Sequence, residues 1–163
     1  MHTRIIRLLV ATASLFTGQS LAELPAAPGT PGQQPARTFH AEGAQIYQCK
    51  PDPDGRLAWQ FREPIATLLL DGNTVGRHYA GPRWEDVDGS AVQAKVVSMA
   101  PGATANDIPW LELGVTLHLG HGVLSDVTGV RRINTEGGMA HGRCDTAGAF
   151  LSVPYHADYV FLR

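Results

Sequence analysis

The sequence predicts an all-β domain, either an antiparallel β-sandwich or a closed β-barrel with long loops, stabilised by one disulfide. The 163 residues include 18 glycines and 11 prolines, residues that favour turns over helices. Apolar residues fall in short runs that alternate with polar ones, and no stretch shows a convincing helical period. Three Asp-Gly pairs, at 54–55, 71–72 and 88–89, separate successive runs as expected for hairpin turns.

Residues 1–22 have the pattern of a signal peptide. Arg4 and Arg7 precede an apolar run from Leu8 to Phe16, and Ser20-Leu21-Ala22 supplies small residues for cleavage after Ala22. The alternative is an ordinary N-terminal helix, but no amphipathic period is visible. The apolar run is shorter than the roughly 20 residues that span a bilayer, and no transmembrane segment is predicted. The expected location is the periplasm or the extracellular space.

Residues 23–38 contain four prolines and few large apolar side chains, and we predict a Pro/Gly-rich linker there. A single β domain then covers residues 39–163, a length that suits one hydrophobic core. The predicted strands are 44–49, 57–61, 66–70, 74–79, 84–87, 91–99, 110–119, 127–133 and 153–163.

Two strands show the clearest alternation. In 110–119, five residues from Leu111 to Leu119 share one face, which predicts that this face packs against the core. In 153–163, Tyr155, Ala157, Tyr159 and Phe161 share a face, while the other face is also partly apolar. A central position in the sheet is therefore expected for the last strand.

Charge and cysteine content limit the possible partners and the compartment. The net charge of −2 and only two lysines, Lys50 and Lys95, argue against nucleic acid, which requires clustered cations. Cys49 and Cys144 are the only cysteines, and an even pair in an exported chain predicts a disulfide. Two buried free thiols or a metal pair are the alternatives.

Several motifs occur together in a fixed order. They are GAQIYQC at 43–49, WQF at 59–61, GRHYAGPRWE at 76–85, DGS at 88–90, IPWL at 108–111, RINTEGG at 132–138, CD at 144–145 and VPYHADY at 153–159. This set resembles the secreted bacterial and fungal family catalogued as domain of unknown function 3455. The resemblance implies an exported, mostly β domain without an established activity. Leu162 and the segment 139–141 depart from the family pattern, and both could alter the rim of a pocket.

Some relatives carry a malate dehydrogenase label, but this chain has neither a GxGxxG motif after a strand nor a βαβ pattern. No dinucleotide or other cofactor is predicted.

The stretch from Thr74 to Ser90 concentrates unusual side chains and suggests a ligand-binding surface. The candidate residues are His78, Trp84, Glu85, Arg132 and Asn134. His78 and Asn134 would orient a small polar ligand or glycan, Trp84 would stack on it, and Arg132 would contact a negative group. The alternative is that His78 bonds a backbone carbonyl and Trp84 belongs to the core. Side chains of consecutive strand residues point to opposite faces, so Trp84 and Glu85 would not share one cavity.

A metal site has weaker support. His118 and His121 lie near a strand end and in a turn, and a third ligand such as His78 or Glu85 would have to be brought in by the fold. No complete metal-binding motif is present, so no metal is predicted.

These features favour a non-catalytic ligand-binding or envelope-associated module. The alternative is a metal- or carboxylate-dependent hydrolase or lyase that acts on a glycan or an organic acid. A purely structural secreted protein is the third hypothesis, and the sequence does not decide between enzyme and non-enzyme.

Overall fold

A computed structural model describes residues 32–163. The predicted signal peptide and most of the predicted linker lie outside these residues. Eight strands follow one another within this part of the chain. They are β1 (Pro35–Pro51), β2 (Leu57–Leu70), β3 (Asn73–Tyr79), β4 (Arg83–Asp86), β5 (Ala91–Ala100), β6 (Trp110–Leu119), β7 (Gly129–Gly137) and β8 (Phe150–Leu162).

The strands form one closed antiparallel barrel in chain order. Each strand pairs with the next, and β8 pairs with β1, where His40 lies opposite Asp158 and Glu42 opposite His156. Of the two architectures that the sequence allowed, the barrel is the one observed. Closure gives every strand in this sheet a paired neighbour on each side. A central position was expected for the last strand; β8 lies between β7 and β1, but every strand of a closed barrel has two neighbours, so this position does not distinguish it.

Two observed strands, β1 and β2, are longer than predicted. β1 begins at Pro35, so residues 35–38 of the predicted linker belong to the sheet. The predicted strands 57–61 and 66–70 are both part of β2, in which Pro64 lies opposite Gln45. A proline interrupts the donor pattern of a strand, and here it lies beside a register shift between β1 and β2.

The barrel interior is filled by alternate residues of each strand. Phe39 and Ala41 of β1 and Ala157, Tyr159 and Phe161 of β8 are almost completely buried. The interior residues of β8 are those that the alternation predicted. Further core side chains come from the other strands and loops: Leu68, Val92, Ala94, Leu113, Leu124, Val127 and Val130.

The prediction for the second half of β6 was wrong. Leu117 and Leu119 are 44% and 40% exposed rather than buried in the core. The ladder between β6 and β7 covers only residues 111–114, and the register with β5 shifts between Gln93 and Ala94. The shift leaves Thr116 without an opposite residue in β5, so that the buried Val92 lies opposite His118 and Leu117 lies opposite Gln93. The alternation therefore changes side at Thr116, and the apolar residues beyond it face outward.

One end of the barrel is closed by the segment between β6 and β7. Leu124 and Val127 of this segment are each 1% exposed. The backbone amide of Val123 donates to Asp88 Oδ2 at 2.8 Å, and that of Leu124 donates to Ser90 Oγ at 3.2 Å. These bonds attach the segment to the β4–β5 turn at the same end.

No helix able to cross a bilayer occurs among residues 32–163.

The predicted disulfide is present between Cys49, near the end of β1, and Cys144, in the loop before β8. The two cysteines are 95 residues apart, and closing a loop of that length contributes about 4–5 kcal/mol in the chain-entropy treatment. Because disulfides persist in oxidising compartments, this bond indicates an extracytoplasmic location.

A candidate ligand-binding cavity inside the barrel

A cavity of about 590 Å³ lies in the end of the barrel opposite the closed end. Its walls come from the second half of β1, the start of β2, the β3–β4 turn, the β5–β6 loop and the loop after β7. The volume falls in the range of about 300–1,000 Å³ that is typical of small-molecule sites. Most lining residues are apolar, and they include Pro64, Ala80, Pro82, Ile108, Leu111 and Leu113.

The mouth of the cavity is also apolar. Phe61, Val96 and Met99 line the cavity and remain 55%, 45% and 68% exposed. The register shift places Tyr47 opposite Phe61 and Ile46 opposite Glu63, so Arg62 has no opposite residue in β1. Such a bulge redirects side chains, and both Phe61 and Arg62 line the cavity.

Three aromatic rings in mutual contact form the inner wall. The rings of His78 and Trp84 are nearly parallel at 4.5 Å, and Tyr159 contacts both, with centroid distances of 4.9 and 5.3 Å. His78 and Trp84 are opposite residues of β3 and β4, which explains the close stacking. All three side chains are buried.

His78 is a neutral imidazole in this environment. Burial, with a further contribution from the positive charge of Arg132, lowers the pKa of His78 to about 3, although the hydrogen bond to the Arg83 carbonyl acts in the opposite direction. The Nδ1 atom lies 2.9 Å from the Arg83 carbonyl oxygen. Since a carbonyl only accepts, Nδ1 carries the proton and Nε2 is left as a hydrogen-bond acceptor.

Arg132 places a positive charge in the cavity wall. Its Nε donates to the Pro109 carbonyl oxygen at 3.0 Å. None of the salt bridges within residues 32–163 involves Arg132. The neighbouring Arg131 points to the outer face, where its Nε contacts Glu112 at 3.1 Å. The two adjacent arginines therefore face opposite sides of β7, and only Arg131 pairs with an acid among residues 32–163.

Two buried donors in the cavity wall have no acceptor in the part of the chain that is described. They are Nε2 of Gln45, a residue 2% exposed, and Nε1 of Trp84, a residue 1% exposed. Buried polar groups are normally hydrogen-bonded, and an unpaired one costs about 1–3 kcal/mol. Together with Arg132, these donors make the wall suited to a ligand that accepts hydrogen bonds.

The three buried tyrosines around the cavity are protonated. Burial raises the pKa of Tyr47, Tyr155 and Tyr159, and the positive charge of Arg132 offsets part of each rise. Tyr47 donates to the Gly138 carbonyl oxygen at 2.7 Å, and the hydroxyls of Tyr155 and Tyr159 are 3.3 Å apart. These phenols supply hydrogen bonds and no phenolate nucleophile.

The structure brings together three of the five candidate ligand-binding residues. His78, Trp84 and Arg132 all line the cavity. The alternative considered for these residues was that His78 bonds a backbone carbonyl and Trp84 belongs to the core. Both statements are also true of the structure. Both descriptions apply because the cavity is enclosed by the core itself.

Glu85 and Asn134 lie elsewhere, on the outer face. Glu85 contacts Arg77 Nη2 at 3.0 and 3.1 Å and accepts from Tyr79 at 2.6 Å. These contacts lower the pKa of Glu85. Trp84 and Glu85 thus point to opposite faces, as expected from strand geometry. Asn134 lies at a register shift of β7, with φ of 50°, and donates to Asp158 Oδ2.

The three histidines considered for a metal do not meet. His118 Nε2 bonds the Val127 carbonyl oxygen at 2.7 Å, His121 is exposed in the turn after β6, and His78 is in the barrel interior.

Sequence reasoning did not identify Gln45 or Tyr159 as cavity residues. The alternation of the last strand placed Tyr159 on the inner face, but nothing in the local sequence distinguished Gln45.

The fold and the cavity define the class of protein: an all-β, disulfide-linked barrel with one internal apolar cavity among the described residues and a few convergent polar groups. The chain belongs to the family described as Protein of unknown function (DUF3455), which it matches over residues 30–72 and 69–163. This membership confirms the resemblance seen in the motifs. No curated protein and no solved structure gave a match.

Proposed function

We propose that this protein binds a small carboxylic acid with an apolar chain or ring in the barrel cavity, without catalysing a reaction. The observation that carries the proposal is Arg132, a guanidinium without a salt bridge to residues 32–163, in the wall of a mainly apolar cavity. A carboxylate can accept up to four hydrogen bonds. The guanidinium of arginine holds its N–H donors in a fixed planar arrangement that matches the two carboxylate oxygens.

The remaining polar groups agree with an acceptor-rich head group. Gln45 Nε2 is a buried donor without an acceptor in the described chain, and it lines the same cavity as Arg132. The neutral His78 can accept a hydrogen bond at Nε2, for example from a hydroxyl substituent beside the carboxylate. The apolar residues Phe61, Val96 and Met99 at the mouth would cover the rest of the ligand. An apolar acid fits these walls better than the glycan that the sequence suggested.

The catalytic alternative has less support. No aspartate or glutamate is among the cavity-lining residues, whereas carboxylate-based glycoside hydrolysis uses two. Burial keeps the neighbouring tyrosines protonated and His78 neutral. The groups present are suited to binding rather than to general acid–base chemistry.

Ligand titration can test the proposal directly. Calorimetry with straight-chain and aromatic carboxylic acids, each paired with the matched primary alcohol, would measure the preference for the charged head group. A charge-assisted hydrogen bond contributes about 1.5–3 kcal/mol, so we expect the acid to bind roughly 10- to 100-fold more tightly than its alcohol. Trp84 stacks on His78 in the wall, and its fluorescence provides a second readout.

Adjacent arginines supply a matched pair of variants. Arg132→Gln should remove the preference for the acid, while Arg131→Gln, on the outer face, should retain it. Thermal unfolding of both variants would check that each remains folded. An unchanged acid-to-alcohol ratio in a folded Arg132→Gln variant would refute the proposal.

We also propose that residues 1–22 direct export and that the protein acts in the periplasm or outside the cell. The disulfide and the pattern of the first 22 residues support this location.

A further inference from the structure

A second group of functional side chains lies on the outer wall of the barrel, where β1 pairs with β8. His40 and Glu42 alternate with buried residues of β1, and both are exposed. Directly opposite on β8 are Asp158 and His156. The two imidazoles are close enough for their rings to stack at 5.9 Å with an angle of 17°.

Three of these side chains can offer ligand atoms to one ion. One atom each from His40, Glu42 and His156 lies within 4.8 Å of the other two. In a tetrahedral zinc site, metal–ligand bonds of about 2.0–2.1 Å place neighbouring ligand atoms roughly 3.4 Å apart. Because all three side chains are exposed, small rotations could close the difference without moving the sheet.

A hydrogen-bonded chain behind His40 prepares it as a ligand. Its Nδ1 donates to Asp158 Oδ1 at 2.9 Å, and Asp158 Oδ2 accepts from Asn134 Nδ2 at 2.8 Å. The proton is thereby held on Nδ1, which leaves the lone pair of Nε2 free. That nitrogen lies 3.9 Å from Glu42 Oε1. A carboxylate behind a histidine is the usual arrangement at metal-binding imidazoles.

The bulge in β7 completes the arrangement. Asn134 has φ of 50° at a register shift, and Glu136 then lies opposite His156. A surface cleft of about 370 Å³ is lined by five residues: His40, Asn134, Glu136, His156 and Asp158. Glu136 adds a carboxylate beside His156, on the side of β8 away from Glu42. Thr67 and Leu69, the β2 residues opposite Glu42 and His40, add no positive charge.

We propose that His40, Glu42 and His156 bind a divalent transition-metal ion, with Zn²⁺ as the representative ion, and that Asp158 orients His40. Two imidazoles and a carboxylate form a donor set suited to Zn²⁺ and its first-row neighbours rather than to Ca²⁺ or Mg²⁺. The site is on the outer wall and is independent of the proposed ligand cavity.

The test is a calorimetric titration of Zn²⁺ into protein purified without a histidine tag. We expect one ion per chain for the wild type. His40→Ala and His156→Ala should each lower the affinity by more than about tenfold, and Asp158→Asn by about tenfold through loss of the group that orients His40. Visible absorption of the Co²⁺-loaded protein should show the bands of a nitrogen- and oxygen-ligated ion, which should be absent in His156→Ala.

His121→Ala is the matched control, because His121 is an exposed histidine on the turn after β6 and outside the group. It should bind Zn²⁺ as the wild type does. The proposal is overturned if the wild type takes up no Zn²⁺, if His40→Ala and His156→Ala bind it unchanged, or if His121→Ala loses as much affinity as they do.

Discussion

The buried, neutral His78 predicts a specific loss of stability in acid. Its pKa in the folded protein is about 3, because burial disfavours the charged ring, whereas an unfolded histidine has a pKa of 6.5. Between these values the unfolded chain binds a proton that the folded chain does not. Stability from His78 is therefore complete above pH 6.5 and falls as the pH is lowered toward 3.

The size of the loss follows from the two pKa values. One pKa unit corresponds to about 1.36 kcal/mol, so the full loss, reached below pH 3, would be about 5 kcal/mol. At pH 4.5 the same relation gives about 3 kcal/mol, and at pH 7.5 it gives about zero. A loss of that size is a large fraction of the stability of a typical domain, about 5–15 kcal/mol.

Urea unfolding at pH 7.5 and pH 4.5 would measure this effect against His78→Gln. Glutamine does not titrate, and its amide can still donate toward the Arg83 carbonyl. Other groups contribute equally in both proteins, so the wild type should lose about 3 kcal/mol more than the variant between the two pH values. The exposed-histidine variant His121→Gln should lose as much as the wild type. A difference below about 0.5 kcal/mol between wild type and His78→Gln would refute the assignment of a neutral buried imidazole.

Two other predictions concern export and packing. Mass spectrometry of the exported, unreduced protein should find a chain that begins at Glu23. That chain should take up no alkylating reagent, since Cys49 and Cys144 are bonded. Two alkylated thiols or an uncleaved N-terminus would contradict the proposed export. Gly43→Ala should destabilise the barrel by about 1–3 kcal/mol in urea unfolding, because the new methyl group would overlap the Ile65 carbonyl oxygen and Ala66 in the adjacent strand. Gly114→Ala, whose nearest atom would be Val97 Cγ2 at 3.5 Å, is the control, and an equal loss in both variants would disprove the steric explanation.

The strands could be predicted because their cause is local. Alternation placed Tyr155, Tyr159 and Phe161 on one face, and the Asp-Gly turns separated β2 from β3 and β4 from β5. Closure of the sheet could not be predicted, because pairing of β1 with β8 depends on residues about 120 positions apart, such as His40 and Asp158 with a separation of 118. The same limit explains Leu117 and Leu119, whose exposure depends on the register shift between β5 and β6.

The candidate site was predicted only in part, for a similar reason. His78, Trp84 and Arg132 stood out by residue type, and strand geometry correctly separated Trp84 from Glu85. Gln45 became notable only when its burial and its lack of an acceptor among residues 32–163 were visible. Likewise His40 and His156 are far apart in the chain and become neighbours only through the β1–β8 register.

The pairing of β1 with β8 also determines where the two ends of the barrel sequence emerge. Gln34 and Arg163 exchange two backbone hydrogen bonds, at 2.9 and 3.0 Å, at the end of the barrel remote from the cavity mouth. A polypeptide joined at either point would leave from the base of the barrel. Fusion or surface attachment before Gln34 or after Arg163 would keep the cavity mouth unobstructed. A protein tethered in this way could still take up a solute through the mouth at the other end of the barrel.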